Sequence, residues 1–155
     1  MKKILVLVMA FAVTIIVTFA FADDEYTQGL MADMNAAQAL QERATEAITY
    51  FESVLYDSEI DSIEINPNYG TDASGDFIAL VHMNYDLYRP AADMGVLVHN
   101  SNIIADALSE DCPEVVELAV FWNLTAYDNT GKITYTIDNE GYHYEDAMLP
   151  KEMVN

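Results

Sequence analysis

The four-residue pattern Asp-Asn-x-Gly occurs twice near the end of the chain, as Asp128-Asn129-Thr130-Gly131 and, ten residues on, as Asp138-Asn139-Glu140-Gly141. Gly in the last place supplies the positive φ of a type I turn with a G1 bulge, so the spacing predicts two successive tight hairpins. The segment before them alternates. Between Val115 and Tyr127, residues Val116, Leu118, Val120, Trp122 and Leu124 share one side, while Val115, Glu117, Ala119, Phe121, Asn123, Thr125 and Tyr127 share the other. With Lys132 to Ile137 and Tyr142 to Asp146 this reads as three strands joined consecutively, which forces antiparallel pairing.

Upstream the period changes. Leu30, Met34, Ala37, Ala44, Ile48, Phe51 and Leu55 recur at steps of four and three, interrupted at Gln41, and predict an amphipathic helix over 29–56 after a loose acidic lead-in at 23–28. Ile60 to Ile65 is β-rich and stops at Asn66-Pro67, and residues 68–76 read as a loop. Phe77 to Tyr85 is a strand with Phe77, Ala79, Val81, Met83 and Tyr85 on one face. Its other face opens apolar with Ile78 and Leu80 and ends polar at His82 and Asn84. Arg89-Pro90 starts a second helix, 91–109, with Met94, Leu97, Ser101, Ile104 and Leu108 inward and His99, Asn102 and Asp106 outward. The expected fold is α+β: a two-layer sandwich of two helices on one face of a mostly antiparallel five-stranded sheet, in the order αββαβββ.

The N-terminus predicts an address. Met1-Lys2-Lys3 precedes an apolar run, Ile4 to Phe19, broken only by Thr14 and Thr18, and Ala20-Phe21-Ala22 fits a small-x-small cleavage rule. Residues 1–22 read as a signal peptide of bacterial style cut after Ala22, leaving 23–155 as one exported domain without a stable membrane anchor. The alternative is an uncleaved anchor, since the apolar run approaches the ~20 residues that span a bilayer. The full chain of 155 residues carries 26 acidic residues against 6 basic, a net −20. Residues 23–155 keep every acid and only Arg43, Arg89, Lys132 and Lys151, hence −22. Such a polyanion is unsuited to nucleic acid, which demands clustered Lys or Arg. Cys112 is the sole cysteine, so no intramolecular disulfide forms, and its acidic neighbours disfavour a thiolate.

No catalytic motif stands out: GxSxG, the P-loop and GxGxxG are absent. The weak catalytic candidates are Glu117 and Asp86, carboxylates in or beside apolar strands where desolvation raises a pKa; they define the alternative of a secreted hydrolase. The weak metal candidates are Asn66, Asn68, Asp72 and Asp76, oxygen donors in one loop suited to Ca²⁺ but without the EF-hand Gly and Glu; they define a second alternative, an acidic calcium-responsive surface protein. His82, His99 and His143 lack the spacing of a zinc site, and His82 and His143 meet only if their strands are neighbours. The aromatics carry the leading expectation. Two helices cannot cover both faces of a sheet, so Phe121, Tyr127, Tyr142, Tyr144 and Tyr85 are expected on an open face that binds a protein, a second copy or a glycan. The sequence thus predicts a non-catalytic binding module of the bacterial envelope or exterior.

Overall fold

A computed structural model describes residues 24–67, 75–85, 94–124 and 129–151. Residues 1–22, and with them the cleavage expectation, lie outside that set. The elements are helix α1 (Asp24–Tyr50), a 3₁₀ turn (Glu52–Val54), strands β1 (Ser58–Pro67) and β2 (Phe77–Tyr85), helix α2 (Met94–Asp111), and strands β3 (Val115–Leu124), β4 (Asn129–Asp138) and β5 (Gly141–Met148). They form one five-stranded sheet in the order β1-β2-β3-β4-β5. All neighbours are antiparallel except β2 and β3, which run parallel because α2 carries the chain back between them. α1 rests on β1 and α2, and α2 rests on β3, β4 and β5. The predicted α+β sandwich is therefore the observed one.

The alternation of β2 decides which sheet face meets the helices. Phe77, Ala79, Val81, Met83 and Tyr85 are buried, and every residue between them is half-buried. Leu118, Val120, Trp122 and Leu124 of β3 and Ile133, Tyr135 and Ile137 of β4 continue that buried face. Opposite it, Ala37, Leu40, Ala44 and Ile48 come from α1, and Leu97, Ile104, Ala105 and Leu108 from α2. Each fully buried Leu, Ile or Val contributes roughly 1.5–3 kcal/mol. The polar groups at the interface are paired: Trp122 Nε1–H donates to Ser101 Oγ at 3.1 Å, and the Tyr135 hydroxyl donates to Asn102 Oδ1 at 2.8 Å. Asn102 thus faces the sheet, whereas the helical period had placed it with the exposed His99.

Other expectations are corrected in detail. α1 is already helical at Asp24, where a loose lead-in was expected, and ends at Tyr50 in place of residue 56. Leu30 and Met34 are 38% and 59% exposed, while Leu40 and Ala47 are buried. A stripe spaced at 3.5 drifts by about 20° per heptad on a straight helix of 3.6 residues per turn, so it cannot face one sheet along its whole length. Gln41, the interruption in the stripe, bonds the sheet directly: its Nε2–H donates to Ile63 O, and its Oε1 accepts from Ile65 N–H at 2.8 Å. The second Asp-Asn-x-Gly is the expected hairpin turn, with Gly141 at φ +117. The first is not a turn at Gly131, which lies inside β4 opposite Trp122, where Leu149 crosses it so closely that a Cβ would sit 2.7 Å from Leu149 Cδ2.

Candidate functional site

The sheet face turned away from both helices is built by strand register. Its central row is Ser62, His82, Phe121, Lys132 and Met148, one residue from each strand in order. The next row toward the chain's α2 C-terminal end is Glu64, Leu80, Ala119, Thr134 and Asp146, and the one after it Asn66, Ile78, Glu117, Thr136 and His143. On the other side Asn84 pairs with Asn123, whose Nδ2–H donates to Asn84 Oδ1 at 2.9 Å.

Phe121 and His82 stack at the centre, with ring centroids 4.9 Å apart and planes 12° from parallel. Parallel pairing of β2 and β3 puts the two residues side by side on one face, and the close, nearly parallel rings are the offset-stacked arrangement that aromatic quadrupoles favour. Leu80 and Ala119 form the next row and Ile78 stands in the one after it, all half-buried. Lys132 stands opposite Phe121 on its other side. The surface combines a ring stack at its centre, Lys132 beside it, and a rim in which Thr and Asn alternate with the carboxylates Glu64, Glu117 and Asp146.

The structure does not gather the sequence-predicted aromatics on this face. Tyr85 is 3% exposed and packs edge-on against Trp122 in the core. Tyr142 and Tyr144 pair with Ile137 and Tyr135, which puts them on the helix side. There they set their rings edge-on against Tyr135, at 5.7 and 6.1 Å between centroids. Burial pushes the Tyr135 phenol above its ordinary range. Tyr144 remains exposed at the outer corner of the sheet. Phe121 alone of the described set is on the open face, and Tyr127 lies outside the described residues. A readable signal existed for Tyr142: the two-residue turn at 139–140 closes Asp138 on Gly141, so the next pair is Ile137 with Tyr142.

Of the carboxylate candidates, Glu117 is exposed on the open face, and Asp86 lies outside the described residues. Asn66 is exposed at the end of β1 and Asp76 is half-buried, while Asn68 and Asp72 lie outside the described residues. Among the described residues no group of three or more His, Cys, Asp or Glu is placed to hold a metal ion. His82 and His143 stand on β2 and β5, separated by two strands. Cys112 is fully buried. Burial raises its thiol pKa, a bond from Arg43 acts against this, and the same Arg43 holds the Glu114 carboxyl below the usual range.

Sequence reasoning passed over a groove of about 610 Å³ between the C-terminal end of α2 and the β4–β5 turn, lined by Asp106, Ser109, Glu110, Pro113, Val116, Ile137 and residues 138–141. Four carboxylates edge it, and α2 adds the negative end of its dipole. The chain matches no protein-family model, no curated protein and no solved structure.

Proposed function

We propose that this is an exported, non-catalytic interaction module of the cell envelope or exterior, and that it binds another protein through the open sheet face centred on Phe121. The observation that carries the reading is the Phe121–His82 stack on a sheet face that neither helix covers. Apolar rings at the centre of a surface, rimmed by hydrogen-bonding side chains, are the composition of protein interfaces. The acidic surface keeps the chain soluble and away from anionic membranes and nucleic acid. Export rests on residues 1–22, whose cationic start, apolar run and small-residue end fit a cleaved signal.

A photo-cross-linking phenylalanine analogue placed at Phe121 in producing cells tests the surface. A discrete adduct is expected, weakened when His82 is also replaced by Ser and missing when the analogue stands at Glu46 on the exposed side of α1. The same adducts from both positions, or none from Phe121, would overturn the reading. The intact mass of chain recovered outside the cell tests export, with Asp23 expected as the first residue.

A further inference from the structure

The sheet has two outer edges, β1 and β5, and they are finished differently. An outer strand presents unpaired N–H and C=O groups that template another strand unless something covers them. On β1 that cover exists. The Gln41 amide gives an N–H to Ile63 O and takes one from Ile65 N, the same two bonds a neighbouring strand would make. Pro67 ends the strand without an N–H, the register is broken between Ile60 and Ser62, and Glu59, Asp61 and Glu64 are exposed along it.

Among the described residues β5 has no such closure. Among the described residues no backbone hydrogen bond reaches its outer edge. Residues 143–146 are all exposed, and Tyr144 and Met148 are 55% and 62% exposed. A bulge at Glu145, between the pairs Thr134–Asp146 and Tyr135–Tyr144, bends the far half of the strand. The regular edge is therefore Gly141 to Tyr144. It lies beside the groove edged by Asp106, Glu110, Asp138 and Glu140, with Glu145 and Asp146 following.

We propose that β5 is a recognition edge, where an extended, positively charged peptide segment of another protein adds as a sixth strand along Gly141 to Tyr144. Backbone bonds to the edge supply affinity, alternate Lys or Arg side chains enter the acidic groove, and Tyr144 covers an apolar residue of the incoming strand. Charge chooses the occupant. A second copy would bring another −20 against these carboxylates, whereas a basic segment complements them. This edge is separate from the Phe121 face, and the two assignments stand or fall independently.

The test uses an eight-residue peptide of alternating Lys and Val as probe, with the ¹⁵N-labelled protein observed by NMR at low salt. Amide shifts confined to 141–146 and the groove are expected. Affinity should fall at least tenfold for the same peptide N-methylated at alternate backbone nitrogens, and at least tenfold for the E145K/D146K variant, whose unchanged melting temperature and spectrum would show an intact fold. Equal binding of the N-methylated peptide would reduce the effect to charge attraction and overturn strand addition. So would shifts centred on β1 or the Phe121 face, equal binding of an alternating Glu-Val peptide, no binding of any probe, or dimers of the protein paired through β5.

Discussion

Asn100 has no exposed surface, yet its amide is fully engaged. Its Nδ2–H₂ donates to Tyr56 O at 2.9 Å and to Ser58 Oγ at 2.7 Å, and its Oδ1 accepts from Tyr56 N–H at 3.2 Å. It therefore grips both sides of Asp57, which holds the left-handed conformation at φ +48 and turns the chain from α1 into β1. Asn100→Ala should cost roughly 1–3 kcal/mol, since it strips partners from groups at the turn. Urea denaturation checks this, and a loss below about 0.5 kcal/mol, the scatter of ordinary surface changes, would deny the residue that role. Asn100 stands three residues after Leu97 and four before Ile104, so the helical period turns it inward, but the period is silent on which partners a polar side chain finds there. Phe121 was legible, since the Glu and Asn beside it in β3 marked its face as open. The alternation of β2 groups Tyr85 with Phe77 and Val81 in the core, and that periodicity outweighs the expectation of an open-face ring.

At the level of elements, the β4–β5 hairpin couples to pH. The Glu140 backbone N–H, donating at 2.7 Å, and then the His143 side chain at 3.2 Å hold the Asp138 carboxyl below the ordinary carboxylate range. A carboxyl with a depressed folded pKa contributes stability that is present above its unfolded value, near 4, and is lost as pH falls through the folded value. Asp138→Asn keeps an acceptor for the turn and removes the charge. Its destabilisation relative to the parent should be full at pH 6–7 and shrink steadily below about pH 4; a difference constant with pH would contradict the assignment. The hairpin itself was readable, because Gly141 must adopt positive φ whatever surrounds it. The same pattern makes no turn at Gly131, because pairing with Trp122 draws that residue into β4, and strand register is not encoded in four residues of sequence.

For the whole molecule the acid excess is the dominant long-range force. A net −20 on 155 residues repels itself in the folded state, and salt shortens the screening length from about 10 Å at 0.1 M to a few ångström near 1 M. Raising NaCl from 20 mM to 0.5 M should increase the melting temperature by about 4 °C, equivalent to roughly 1 kcal/mol. Calcium at matched ionic strength should add nothing further; a larger rise with millimolar Ca²⁺ would instead reveal a specific site by mass action. Element types and order, the inward faces of β2 and β3, and this charge were determined by the sequence alone, because period and ionisation are local properties. Which edge is closed, where the aromatics point and which acids share a groove were decided only by the tertiary structure. Those properties depend on register between strands and on one side chain, Gln41, reaching across layers, and no local pattern carries that information.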